Sequence, residues 1–204
     1  MRILSMITRG EEWGTSTKRT DADIIINGDI ELAQCSTDSR LIVVGGDIAH
    51  SLGDPTPPLM GADCTEVPID ALRVIITFRD GTTSSTIASS HVMIGQWLRG
   101  RLICISNGGF IGRKNVSPRA HPNDGFFDVM SIQSSMGMQQ RIRARHRSVL
   151  GTHVPHPLAE TRRAKVSEFS AASHAENLTI DGKRIRSWTT VQVEIVPDYW
   201  RLLV

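Results

Sequence analysis

Apolar positions along this chain come in short runs, each closed by turn residues. Residues 72–78 (LRVIITF) are rich in Val and Ile and stop at Arg79-Asp80-Gly81-Thr82, where Asp-Gly suits a type I′ hairpin. Residues 86–93 are the segment expected to pair back. RLICIS, residues 101–106, predicts a short buried strand closed by Asn107-Gly108-Gly109. The stretch SPRAHPNDG then turns the chain into Phe126-Phe127-Asp128-Val129-Met130, with an acid on each side of the turn's exit. Residues 178–180 lead to a second Asp-Gly turn at Asp181-Gly182. In residues 191–196, Val191, Val193 and Ile195 alternate with polar Gln192 and Glu194, and Pro197-Asp198 is expected to turn the chain once more into 199–204. Short strands with regular turn punctuation predict a mainly β protein, a sandwich or a barrel-like domain.

Two places break the β pattern. Residues 138–150 space Met138, Ile142 and Val149 along one side while Arg141, Arg143, Arg145, His146 and Arg147 cover the rest, as a short basic helix does. Residues 41–44 lead through Gly45-Gly46 into Asp47-Ile48-Ala49-His50-Ser51-Leu52, then Gly53. That predicts a strand, a glycine turn and a short helix with Asp47 as N-cap and Gly53 as its stop. Residues 10–22 and 54–68 read as loops, and the N-terminal third is the least legible part.

At 204 residues the chain supports one main domain. Its longest apolar runs fall far short of the roughly 20 residues of a spanning helix. The start, MRILSMITRGEEWG, lacks the apolar region and cleavage site of a secretory signal. Cys35, Cys64 and Cys104 form no C-x-x-C, which argues against a structural zinc site or a disulfide framework and for a reducing cytoplasm. A formal charge of +2 means that any attraction to phosphate or anionic membrane must come from local clusters. Aromatics at 5% do not interleave with the basic cluster, so nucleic acid is not the expected partner.

The strand-glycine-helix unit at 41–53 has the geometry that exposes backbone N–H groups to phosphate. Neither G-x-x-x-x-G-K-[ST] nor G-x-G-x-x-G is present, so P-loop and Rossmann readings fail, and G-x-S-x-G is absent too. The spacing of His146, His153 and His156 does not impose the convergent geometry of a metal site. The Asn123-Asp124-Gly125 turn with Asp128 is the better candidate. Its oxygens suit either a tight turn or Mg²⁺, which takes few protein ligands and several waters.

Residues 106–129, from Ser106-Asn107-Gly108-Gly109-Phe110 through Pro118-Arg119-Ala120-His121-Pro122-Asn123-Asp124-Gly125-Phe126-Phe127-Asp128-Val129, resemble the C-terminal β-sandwich of the bacterial diacylglycerol kinase and lipid kinase family. There an Asn and glycines precede a Pro-x-Ala-x-x-x-Asp-Gly-x-x-Asp-Val pattern. Gly45-Gly46-Asp47 through Gly53 is similar, more loosely, to a second motif, Gly-Thr-x-Asn-Asp-x-Ala-Arg-x-Leu-Gly. The resemblance extends over about residues 41–204 and implies a β-sandwich shared at a distance with NAD kinases, with residues 1–40 packed on it.

It further implies ligand contacts at Asp47, Asn107 and Asp181, a Mg²⁺ at Asp124, and Asp128 pinning the strand entrance, while Lys183, next to Arg184 and Arg186, is itself a candidate to bind an anionic head group or phosphate. Two departures weigh against ATP. The family's Gly-Gly-Asp-Gly-Thr phosphate loop is missing, and Lys183 follows Asp181-Gly182 where the family has a Glu suggested as base. A Lys with an ordinary pKa of about 10.4 is already protonated at neutral pH. The expectation is a lipid-kinase-like sandwich that binds a ligand or partner and does not complete phosphoryl transfer alone. The alternatives are a divergent ATP-dependent lipid kinase, one aided by a separate nucleotide-binding subunit, or a peripheral membrane module that meets anionic lipid through Arg141, Arg143, Arg145 and Arg147. An exposed strand edge would favour a homo-oligomer.

Overall fold

In the computed structural model, which describes residues 13–204, two antiparallel strands, Asp63–Phe78 and Trp188–Leu203, run side by side and form the spine of the first sheet. Residues 1–12, most of the stretch read for a secretory signal, lie outside the described residues. Toward one end the spine is flanked by Thr83–Ala88 and Val166–Ser170, and toward the other by Thr15–Lys18 and Arg40–Val43, with Ile24–Ile26 outermost. A second sheet runs Ala159–Ala164, Phe127–Ile132, Arg99–Ser106, His91–Gln96, Leu178–Ile180, Lys183–Ile185. The protein is a β-sandwich, as the strand pattern predicts.

Period-2 alternation sorts the side chains. Leu72, Val74, Ile76, Val191 and Val193 of the first sheet meet Val92, Ile94, Ile103, Ile105, Phe127 and Val129 of the second in one buried core. The intervening Leu102 and Cys104, with Met130 and Ile132, point to the sheet's other face, where Val116 and Met136 cover them. A third core gathers Ile26, Leu41, Val43, Ile48, Val67, Ile69, Trp200 and Leu202 at the spine's far end. There Ile24–Ile26 and Arg40–Val43 pair parallel to each other, with helices Asp29–Leu32 and Gly46–Ser51 between and after them.

Several local expectations change. Pro197-Asp198 does not turn the chain back: the strand runs on to Leu203 through a register shift between Val196 and Trp200, and Asp198 adopts a φ of 51°. A bulge absorbs the proline's missing N–H while the ladder continues on either side. Segments read as loops contain Thr15–Lys18 and the start of Asp63–Phe78, which pair with each other. TSTK has no apolar position to betray a strand, and backbone pairing to the spine makes it one. Asp80-Gly81 is not a type I′ turn, since only Gly81 has positive φ and the connection spans residues 79–82, tied by Phe78 N–H to Thr82 O (2.8 Å). Asp181-Gly182 does have both residues at positive φ, 45° and 80°, between directly paired strands, as the two-residue turn requires.

Candidate functional site

The acids of the sequence motifs come together where the parallel strands, the ends of the second sheet and the middle of the spine meet. Asp181, at the tip of its hairpin, turns its carboxylate inward to accept the backbone N–H groups of Ser89 (2.8 Å), Ser90 (3.0 Å) and His91 (2.8 Å). Those residues make the crossing from the first sheet, through Thr83–Ala88, to the second, through His91–Gln96. Their amides have left one ladder before entering the next, and a buried amide without a partner is costly. Asp181 supplies the partner. Burial pushes its carboxyl above the ordinary range, against the pull of these donors.

Asp47 does not cap its own helix. Gly45 holds the N-cap position, and the N–H groups of Asp47 (2.6 Å) and Ile48 (3.0 Å) donate to the side chain of Asp29 instead. Gly46 is required here, because a Cβ on it would lie 2.8 Å from the Asp29 carboxylate. Freed from capping, Asp47 accepts from Gly112 N–H (2.6 Å) and Ser90 Oγ–H (2.9 Å) and pairs with His91 Nδ1 at 3.0 Å. Burial opposes charge on both members, but each outweighs that penalty for the other: Asp47 is held below its usual value and His91 above. Asp29 has no such cation, and burial raises its carboxyl to about 6. The amides of Asp47 and Ile48 at this helix start therefore already hold a carboxylate.

A second knot lies beside the first. Asp70, fully buried in the middle of the spine, accepts from Asp198 N–H (2.9 Å) at the bulge, from Asn123 Nδ2 (3.1 Å) and from Gly125 N–H (2.8 Å). Burial raises its carboxyl to about 6. Asn107 is also fully buried, and its Nδ2 donates to the carbonyls of Asp70 (2.7 Å) and Ser89 (3.1 Å). It ties the two knots together through Nδ2, while its Oδ1 is buried without a hydrogen-bond partner.

Of the turn that the sequence marks most firmly, Asn123 and Gly125 belong to this knot. Asp124 points the other way and pairs with Arg163, while its second oxygen accepts Phe126 N–H at 3.0 Å. Arg163 also lies over the Phe126 ring, 4.5 Å from its centroid. Both Asp124 oxygens are thus engaged, and among the described residues no three His, Cys, Asp or Glu side chains gather to hold an ion. The arrangement fits a guanidinium partner. Asp128 does not pin the strand entrance either. It opens onto a cavity of about 330 Å³ lined by Ser117, Arg119, Gly151, Pro155 and Thr161, and burial raises it to about 6.

Lys183 is exposed at the rim of a different pocket, about 300 Å³, between helix Asp29–Leu32, strand Thr83–Ala88 and the Asp181 hairpin. Its wall is largely apolar, with Ile30, Ile76, Phe78, Ile87, Ile180 and Ile185, and Asp181 and Lys183 are the charged residues lining it. Arg143, Arg145 and Arg147 are exposed on helix Met138–Arg147. Arg141 is not part of that basic surface. It is 1% exposed and donates to the carbonyls of Met136 (2.8 Å), Gln133 (2.7 Å), Trp97 (3.3 Å) and Gly100. Four carbonyls that close loops need donors, and one planar guanidinium reaches them all.

Sequence reading missed Asp29, Asp70, the Ser89-Ser90-His91 run and Asp198. Asp70 did leave a signal, as a lone acid within the apolar run VPIDALRVII, and Asp29 another, as an acid opening a helix after Ile24-Ile25-Ile26-Asn27-Gly28.

A two-sheet sandwich whose crossing strands are tied by buried acids defines the class as a β-sandwich domain. The chain belongs to the YegS C-terminal NAD kinase beta sandwich-like domain family, whose model matches residues 63–204. Among solved structures it is similar to a putative diacylglycerol kinase from Bacillus anthracis str. Sterne, at 13% identity and a TM-score of 0.54 over 89% of this chain and 77% of that one. A diacylglycerol kinase from the same organism gives 15% identity and 0.53 over 89% and 75%. At these identities the likeness is one of fold. No curated protein matches the sequence.

Proposed function

We propose that the protein is a lipid-kinase-like sandwich that binds a small amphiphilic ligand in the pocket between helix Asp29–Leu32 and the Asp181 hairpin, and that it does not carry out phosphoryl transfer by itself. The observation that carries the reading is where the acids spend themselves. Asp29, Asp47 and Asp181 all accept from internal backbone amides, which favours a structural use of these carboxylates over presenting Mg²⁺ to a nucleotide. Phosphoryl transfer rests on positioning and charge stabilisation of the phosphates, and the amides best placed for that already hold Asp29. The pocket beside them has an apolar wall and Lys183 at its rim, a fit for an acyl body with an anionic head. Diacylglycerol kinases, to which the fold is similar, act on a lipid, and this reading keeps the lipid while leaving out the nucleotide.

Calorimetric titration tests it. A short-chain phosphatidate is expected to bind, with affinity reduced about tenfold by Lys183→Ala, the loss of one charge-assisted contact. Mg·ATP is expected to give no heat up to millimolar concentration. Micromolar Mg·ATP binding, weakened by Asp124→Ala, would overturn the proposal and support a divergent kinase that holds Mg²⁺ at that turn. Binding of ATP only after a second polypeptide is added would point to a separate nucleotide-binding subunit.

A further inference from the structure

Residues 138–150 leave four large apolar side chains in solvent: Leu150 is 79% exposed, Met138 56%, Val149 52% and Ile142 42%. An ordinary surface helix turns such residues inward. Here the inward face is occupied by Arg141, Ala144 and Ser148, with the buried guanidinium anchoring the helix to loop carbonyls. The apolar stripe is left outside. Met138, Ile142 and Arg145 follow one another at helical spacing on one face, and Val149 and Leu150 continue from the 3-10 turn Ser148–Leu150.

The charge around this stripe has one sign. Residues 138–150 contain no Asp or Glu, and Arg143, Arg145 and Arg147 are all exposed. Among the described residues none of the three forms an ion pair. The strand Lys114–Asn115 packs against the 3-10 turn and adds Lys114, next to exposed Arg113. Exposed aliphatics flanked by unpaired cations match the boundary between lipid headgroups and acyl chains, where apolar groups enter and cations meet phosphate. A nucleic acid would leave the aliphatics without a partner, and a purely apolar protein groove would leave the arginines without one.

We infer that this face docks on an anionic lipid surface, with Leu150 and Met138 entering the interface and Arg143, Arg145 and Arg147 contacting headgroup phosphates. The inference does not depend on the pocket beside Lys183, and the two can fail separately.

Sedimentation of the full chain with vesicles decides it. Vesicles of phosphatidylcholine mixed with phosphatidylglycerol are expected to carry the protein down, and vesicles of phosphatidylcholine alone to leave most of it in solution. Raising ionic strength from about 0.1 M to about 0.5 M is expected to release it, since the screening length shrinks below the reach of the arginines. Arg145→Glu, a change of two charges, is expected to weaken partition roughly thirtyfold. Leu150→Ser is expected to weaken it about tenfold, from the lost burial of one Leu. Thermal melting serves as the folding control, and Arg143→Glu and Met138→Ser replace any variant whose midpoint moves. Equal binding to neutral vesicles, indifference to salt, or no effect of either apolar substitution would overturn the inference. So would binding to RNA or to an acidic polypeptide with none to vesicles.

Discussion

Asp70 and Asp128 lie close to the same turn, both largely buried and both raised to about 6 by that burial, yet they do opposite work. Asp70 sits among three amide donors from two segments, Asp198 N–H at the bulge and Gly125 N–H with the Asn123 side chain at the turn. Asp128 faces a cavity with Arg119 at its wall. The same chemical group is a structural tie in one place and a cost in the other, and the difference is the donors within reach. A raised carboxyl marks burial, and only the partners say whether that burial holds the fold together.

Removing Asp70 is expected to break this contrast hardest. Asp70→Ala leaves the buried amide of Gly125, the part-buried amide of Asp198 and the buried Asn123 side chain without this acceptor, and urea unfolding is expected to show a loss of about 3 kcal/mol. A loss within about 0.5 kcal/mol would mean the bulge and the turn hold their shapes unaided.

Asp128→Asn is expected to act in the other direction. With a folded-state value of about 6 against 3.8 for the free group, the native protein holds a proton between those two values that the unfolded chain has released. Asp128's contribution is therefore most favourable below about pH 4 and is lost as pH rises through about 6. At pH 7 the substitution is expected to stabilise by about 3 kcal/mol, from about two pH units at roughly 1.4 kcal/mol each, and at pH 4 to change little. Thermal melts at the two pH values check it: equal effects at both would show that the cavity already solvates the carboxylate.

Asp124→Ala is expected to have the smallest effect. Its partner Arg163 has a side chain 46% exposed, and such a pair contributes about 0–1 kcal/mol. A loss comparable to that of Asp70→Ala would make the outward half of the turn as structural as the inward half.

Much of the sandwich was legible because alternation is a local property. Val191-Gln192-Val193-Glu194-Ile195 announces a strand with one wet face without reference to any neighbour. The Asp181-Gly182 hairpin was legible for the same reason. The Pro197-Asp198 bulge was not, since a bulge and a turn share their residues and differ only in whether the partner strand continues. The candidate site was half legible. Asp47 and Asp181 stood out as motif residues, but their acceptor roles depend on the amides of Ser89, Ser90, His91 and Gly112, which lie far off in sequence. Arg141 looked like its neighbours Arg143 and Arg145 because burial leaves no trace in a run of arginines.

The strand content, the hairpin at 181–182, the basic helix and the motif run from 106 to 129 all rest on spacing and backbone preference within a few residues, and a linear reading reaches them. Tertiary structure alone decided which acid ties backbone and which stands free. It also decided that Asp29 and not Asp47 caps the helix at Gly46, and that one arginine of the basic helix is an anchor while three remain outside. Hydrogen-bond partners and burial are properties of which segments meet, and a linear pattern carries preferences for local shape without carrying that meeting.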